Sequence, residues 1–411
     1  MLDKPRSRKP ANGPNLDYPA YVAYAGAPRN SWPSRPPFER KIRQVGAPLG
    51  VLILLGILAG LIVVGLTALN PVGASVGFVL SGAAIGVVVF AYIWLDRWEP
   101  EPPRLLVFAF LWGASVAVIV SVIIGLVVES LITQGGGTED ASWVSIAIGA
   151  PIIEEAAKGA FLLLMMTGRR RNELNSLTDC LVYAGLVGAG FAWLEDILYI
   201  AGGETLGDSL LTAGVRLVMG PFAHSLFTTM FALGVWFALH NRNPVTKSFY
   251  ILLGYFGAVI MHALWNGSSV IGPETYLAVY VFWMVPVFVF AIVLGVRSRK
   301  KEQRIVAAKL PGMVAAQLVT PSEATWLNSI KNRKLAIAQA TRTGGKPAGK
   351  AVKAFAAQVV ELAFVRDRID RGFGDDRIFA MQTDEAHRVH AARMETPALQ
   401  GLVGFQAPPV R

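Results

Sequence analysis

The sequence predicts an all-α fold: a polytopic membrane bundle of about eight transmembrane helices, followed by a helical or partly disordered C-terminal tail on the cytoplasmic side. Three observations predict it. Of the 411 residues, 53% are hydrophobic and 16% charged, with a mean hydropathy of +0.47, which is too apolar for an ordinary soluble domain. The apolar residues come in runs of about 20 rather than in alternation, the length that crosses a hydrocarbon core. The basic residues gather in every second connection between those runs, as in membrane proteins sorted by the positive-inside rule.

Residues 1–46 are rich in Pro, Asn and Arg and read as a disordered basic cytoplasmic tail. The apolar runs start only after it, so the first span is expected to act as an uncleaved anchor rather than as a signal peptide. That span, 47–69, carries Gly56-x-x-x-Gly60, a pattern that lets helices approach closely. After Asn70-Pro71 the second span covers 73–95, and the proline-rich loop Asp96-Arg-Trp-Glu-Pro-Glu-Pro-Pro-Arg104 leads into the third, 105–132. A glycine-rich connection precedes the fourth span, 143–166. Arg169–Arg171 then leads to Thr178-Asp179, read as N-cap residues of the fifth span, 180–201. The sixth, seventh and eighth spans cover 217–240, 248–270 and 275–296. The transmembrane core is thus 47–296, and 297–411 is a basic tail with helical stretches near 323–341 and 350–370, separated at Gly344-Gly345.

Lys and Arg number 38 against 28 Asp and Glu, a net charge of +10. With the N-terminus in the cytoplasm, the inside segments hold the basic N-tail, Arg97, Arg104, Arg169–Arg171, Arg242, Lys247 and the Arg297–Lys301 cluster. The outside connections hold only Arg216, read as snorkelling at a membrane edge. Both termini are therefore expected inside, in the cell membrane. The charge reads as topology, with the tails free to touch anionic lipid heads, and not as nucleic-acid binding. A single cysteine, Cys180, excludes an internal disulfide and a Cys-based metal site.

The fourth span is the costly one. Glu154 and Glu155 lie near its centre, where each carboxylate costs roughly 2.5–3.5 kcal/mol on insertion scales. At ~1.5 Å per residue from the outer edge of each span, the pair lies ~16–18 Å deep, Glu195 and His224 ~10 Å and His262 ~12 Å. Asn266 falls one turn after His262 on the same face. Three carboxylates, two imidazoles and an amide thus share a slab between the midplane and the outer half of the membrane. That inventory suits hydrolysis: a base, a water or metal holder, and donors for an oxyanion.

Glu154-Glu155-Ala-Ala-Lys158, Phe191-Ala-Trp-Leu-Glu195-Asp196-x-x-Tyr199, Phe222-Ala-His224, His262-Ala-Leu-Trp265-Asn266 and the Asp96-Arg-Trp-Glu-Pro-Glu-Pro loop together resemble the PrsW family of intramembrane proteases. That family is distantly related to CAAX-processing and bacteriocin-processing proteases. The resemblance covers roughly 47–296 and implies cleavage of a membrane-anchored protein, such as an anti-sigma factor, near its outer side. It implies catalytic roles for Glu154, Glu155, Glu195, His224, His262 and Asn266. The metalloprotease label implies zinc on Glu155, His224 and His262, whereas the CAAX-processing relatives imply a metal-free glutamate site, and the sequence leaves both open. Family members often carry Asn where this chain has Asp196, so Asp196 is not assigned a role.

Plainer readings compete. Glu154 and Lys158 are i,i+4 partners and can form an internal ion pair, and a membrane histidine often makes only an interhelical hydrogen bond. Gly372-Phe-Gly-Asp375 matches a motif of intramembrane aspartyl proteases but lies in the charged tail, as do His387 and His390. The chain contains no His-Glu-x-x-His motif, and no membrane Gly-x-Ser-x-Gly setting. The rival classes are an ion- or proton-coupled transporter, disfavoured because spans one to three do not repeat spans four to seven, and a non-catalytic scaffold. Which of Glu154 and Glu155 is the base is not legible, since they point about 100° apart on one helix.

Overall fold

The computed structural model describes residues 46–134 and 143–405. The basic N-terminal tail and most of the glycine-rich connection before the fourth span lie outside the described residues. All regular structure among the described residues is helical, as the sequence predicts. The chain divides into two compact units, one running to Lys300 and the other beginning at Lys301.

In the first unit α1 is Leu49–Leu69 and α2 is Pro71–Leu95. Helix α3 starts at Pro103, widens into a π-type turn at Trp112–Ala117 and continues as Val118–Gln134. Helix α4 enters through a second such turn, Ser145–Gly149, and continues as Ala150–Met165. Helix α5 is Leu177–Ala201, α6 is Leu206–Gly214 prolonged by Val215–Met219, and α7 is Ala223–Leu239. Helix α8 is Pro244–Ile271, and α9 begins at Pro273 and runs on to Ala315, past Lys300 where this unit ends. Seven helical segments among the described residues are long and apolar enough to cross a membrane, α6 and α7 counting as one. Helix α4 stands apart because it carries Glu154, Glu155 and Lys158. The result is an all-α, multi-pass bundle.

The hub of the bundle is α5. Its central window is 89% buried, against 11% for α1, because its sequence offers small residues wherever a neighbour crosses. A Cβ on Gly190 would strike the Phe110 carbonyl, one on Gly113 the Val187 carbonyl, and one on Gly188 the backbone at His224–Ser225. These contacts bring α3 and α7 to backbone distance from α5. Gly234 and Gly254 do the same for α7 and α8. By contrast, Cβ atoms at Gly56 and Gly60 would meet open space. The expected packing role of Gly56-x-x-x-Gly60 is therefore corrected: the close approaches are made elsewhere.

Two further departures concern helix ends. The N-cap of α5 is Ser176, with Asp179 at the third helical position closing a capping box, rather than Thr178-Asp179 themselves. The stretch before the sixth span is not a loop. Thr205 and Asp208 form another capping box, so α6 leads to a break at 220–222 before α7 starts. The Asp96–Pro102 loop is braced within itself by the Glu101 amide donating to Asp96 (2.9 Å), and it is tied to the start of α5 by Asn175 donating to Glu99 (3.2 Å) and the Tyr183 hydroxyl donating to Glu101 (2.6 Å).

In the second unit α10 is Pro321–Leu327, α11 is Ile330–Arg368 with a break at Gly345 (φ 76°), and α12 is Asp376–Met394. The Gly345 break matches the expected separator. Asp375 accepts from the Ile378 amide and caps α12, which gives the Gly-x-Gly-Asp sequence a structural use.

Candidate active site

The site is assembled where α4, α5, α7 and α8 meet. Pro151 starts the regular part of α4, and Trp112 Nε1 donates to the Ala157 carbonyl (3.0 Å) while the Tyr255 hydroxyl donates to the Ile152 carbonyl (2.8 Å). These two bonds clamp α4 between α3 and α8 on either side of the glutamate pair.

At the centre is the ammonium of Lys158, fully buried. It donates to Glu155 Oε1 at 2.8 Å and to His224 Nδ1 at 2.9 Å, lies 3.4 Å from Glu154 Oε2, and sits 3.7 Å above the Phe191 ring. A cation in that position offsets the cost of the two carboxylates. Because Lys158 occupies Nδ1 of His224, the Nε2 proton of that ring donates to Glu195 Oε2 (2.8 Å). His262 Nδ1 donates to Glu155 Oε1 (3.0 Å), which leaves His262 Nε2 as a lone pair 3.8 Å from Glu154 Oε2. Phe227 stacks on the His262 ring and holds its plane.

The two glutamates are not equivalent. Glu155 is completely buried and held by Lys158 and His262, with the Thr228 hydroxyl at 3.4 Å. Glu154 lines a cavity of about 530 Å³ together with Glu195, Phe191, Ser121, Gly125 and Tyr199. The one-residue offset sends the second carboxylate into the protein and the first toward open space.

Five of the six residues singled out in the sequence thus come together: Glu154, Glu155, Glu195, His224 and His262. Asn266 donates instead to the Ile146 carbonyl (3.3 Å) on the entry turn of α4. Sequence reasoning passed over two cations. Lys158 was weighed only as a helix ion pair, although a lysine one turn beyond two membrane carboxylates has nowhere else to go. Arg216 does not snorkel. Its Nη2 donates to Glu195 (2.5 Å), its Nε to Asp196 (2.6 Å), and its guanidinium stacks 4.1 Å over Tyr199. Asp196, without an expected role, is therefore half of the clamp that holds Arg216 against Glu195. The missed signal was α6 itself, since only as a helix does this stretch carry Arg216 back over α5.

The donor types also match a metal ion, with His224 able to ligate only by releasing Lys158 from Nδ1 or Glu195 from Nε2. Glu154, His224 and His262 each place a ligand atom so that all lie within 4.8 Å of one another, and one carboxylate with two imidazoles is a ligand set of catalytic zinc. The Glu155–His262 bond is the outer-shell contact that orients such an imidazole. The carboxylate grouped with the histidines is Glu154, whereas the sequence reading had named Glu155. Lys158 and His262 already hold the Glu155 oxygen that would have served.

The family described as PrsW family intramembrane metalloprotease matches residues 101–291, a range that contains every residue of this cluster. Protease PrsW of Bacillus subtilis (strain 168) is 26% identical over 236 residues, spanning 55% of this chain and 95% of that protein. Protease PrsW of Geobacillus kaustophilus (strain HTA426) is 23% identical over 187 residues, spanning 45% of this chain and 76% of that protein. No solved structure matches the chain. The buried carboxylate–histidine cluster and the apolar helices agree with these matches, and together they support an intramembrane protease similar to the PrsW family, a multi-pass membrane hydrolase that acts on protein substrates.

Proposed function

We propose that the protein is an endopeptidase that hydrolyses a peptide bond of a membrane-anchored protein near the outer face of the membrane, with Glu154 as the base that activates water. The observation that carries this reading is the asymmetry of the pair: Glu154 lines the cavity, and Glu155 is sealed behind it by Lys158 and His262.

In the proposed reaction Glu154 takes a proton from a water whose oxygen adds to the scissile carbonyl. The C–N bond of the tetrahedral intermediate then breaks, and the proton passes to the leaving amine, giving one carboxylate and one amine. Glu155 and Lys158 hold His262 and His224 in fixed tautomers, so Nε2 of His262 is ready to accept a proton beside Glu154. Glu195, itself held by Arg216, orients His224. Asn266, one turn beyond His262, has only the long bond to Ile146 to give up for a developing oxyanion. In the alternative zinc form, an ion held by Glu154, His224 and His262 would polarise the carbonyl and make bound water more acidic; Glu154 would then be a ligand and not the base, and His224 would have to release Lys158 or Glu195.

The distribution of Lys and Arg supports cytoplasmic termini, which puts the Glu195 end of α5 toward the outer face. An anti-sigma-factor-like substrate follows from the resemblance. The test is cleavage of a co-expressed single-pass substrate by the unaltered chain, by Glu154→Gln and by His262→Ala, with normal expression confirmed for each. Cleavage by both variants sinks the assignment. Metal analysis and activity after chelation separate the two chemistries: full activity in metal-free protein sinks the zinc form.

A further inference from the structure

We infer that the cleft beside Glu154 is the substrate groove, and that it takes an unwound, extended stretch of a membrane-spanning polypeptide whose freed backbone groups hydrogen-bond to Ser121. This deepens the protease reading above and rests on it.

The cleft is built chiefly from single faces of three helices, with Gly202 and Gly203 just after α5 and Thr212 of α6 completing its lining. From α3 come Val118, Ser121, Val122 and Gly125, at the i, i+3, i+4, i+7 spacing of one stripe. Ile153 and Glu154 of α4 and Glu195 and Tyr199 of α5 form the other walls. Val122 is 47% and Tyr199 53% exposed, so the cleft opens on the flank of the bundle, the side from which a membrane-spanning chain arrives.

Ser121 is the unexplained group in it. A helical serine ordinarily returns its hydroxyl to its own backbone, and the neighbours on α3 do so: Ser115 donates to the Leu111 carbonyl and Ser130 to that of Val127. Ser121 Oγ is buried and has no hydrogen-bond partner among the described residues. An unmet hydroxyl in an apolar wall is costly unless something comes to meet it. A substrate helix supplies the partner. For water to reach a peptide bond the helix must unwind, and each N–H and C=O so released in hydrocarbon costs several kcal/mol if left unpaired. A hydroxyl can donate to one and accept from the other.

Gly125 gives the groove its width. A Cβ there would meet open space, so the position is vacant by choice of residue and not by crowding. Ser121 and Gly125 are ~6 Å apart along the helix, close to the length of two extended residues. One substrate backbone group at Ser121 therefore places a side chain opposite Gly125.

The test uses the full chain in cells and a library of single-pass reporters, from which one cleaved by the unaltered chain and spared by Glu154→Gln is selected. Ser121→Ala should lower the cleavage rate about five- to tenfold. Gly125→Leu should cut cleavage of reporters with a large residue at the cleavage site by at least about tenfold while sparing those with Ala or Gly there. Gly65→Leu, on the open face of α1, should change nothing. In the Glu154→Gln chain, p-benzoylphenylalanine in place of Gly125 should capture the reporter, and in place of Gly65 it should not. Capture at both positions or at neither overturns the groove, as does unchanged cleavage by Gly125→Leu. If that variant is not produced, the capture experiment decides alone. If every reporter cleaved by the unaltered chain is also cleaved by Glu154→Gln, the protease assignment of Glu154 fails instead, and capture at position 125 still decides the groove.

Discussion

His262 Nδ1 lies 3.0 Å from Glu155 Oε1, and that one bond determines which imidazole nitrogen is left for chemistry. A carboxylate acceptor holds the proton on Nδ1 and turns the Nε2 lone pair toward Glu154. In the proposed reaction Glu155 is in this sense the residue that prepares His262, and Glu154 the residue that meets the substrate.

The two glutamates should therefore differ on substitution. Glu154→Gln is expected to reduce kcat by about 10²–10⁴ with the smaller loss of stability, because its carboxylate lines a cavity and meets Lys158 only at 3.4 Å. Glu155→Gln should lower thermal stability as well as kcat, because it weakens bonds to Lys158 and His262. Paired rate and melting measurements in detergent check the split, and equal melting temperatures for the two variants would contradict it.

Lys158→Met removes the cation shared by Glu154, Glu155 and His224. Breaking a buried pair from one side costs about 3–5 kcal/mol, so the variant should fail to accumulate or melt far below the parent. The double change Lys158→Met with Glu155→Gln should recover part of the loss, since it removes the stranded charge as well. No recovery in the double variant would argue against the pair.

Arg216 reaches two carboxylates with two different nitrogens. Arg216→Lys keeps the charge and loses the two-armed geometry, so it should show intermediate activity, with Arg216→Ala lower still. The pair is partly exposed, so the stability cost should fall below the buried limit of about 3 kcal/mol. Activity of the three forms against one reporter, at matched expression, reads this out.

Glycine positions should sort by what a Cβ would meet. Gly190→Ala pushes a methyl into the Phe110 carbonyl and should destabilise by at least about 1–3 kcal/mol. Gly56→Ala and Gly60→Ala meet open space and should be neutral or stabilising by up to about 1 kcal/mol. Melting temperatures of the three single variants test the ordering.

Burial pushes the Glu101 carboxyl well above the ordinary carboxylate range; Asp179, Asp96 and Glu173 push it the same way, and the hydrogen bond from Tyr183 pulls it back. A carboxyl whose folded pKa is raised holds its proton longer in the folded state. Its contribution is complete below the unfolded value and is lost as pH rises through the folded one. Stability should therefore decline with rising pH above about 4.3, and Glu101→Gln, which imitates the protonated form, should flatten that decline. Melting curves from pH 5 to 9 compare the two, and parallel curves would rule the group out.

Hydropathy, charge placement and composition made the membrane bundle legible, because lipid demands long apolar helices whatever their packing. The cost of carboxylates and imidazoles in lipid likewise marked Glu154, Glu155, Glu195, His224 and His262 one by one, each from its own span. What the sequence could not determine was relative rotation and close approach, since these depend on the sum of many side-chain contacts between distant segments. Tertiary structure alone made α5 the hub and left Gly56 and Gly60 facing open space. It folded Leu206–Met219 into a helix that carries Arg216 back to Glu195 and Asp196. It also separated two adjacent glutamates: Lys158 and His262 lie on one side of α4 and the cavity on the other, so a rotation of about 100° assigns Glu155 to the interior and Glu154 to the cleft.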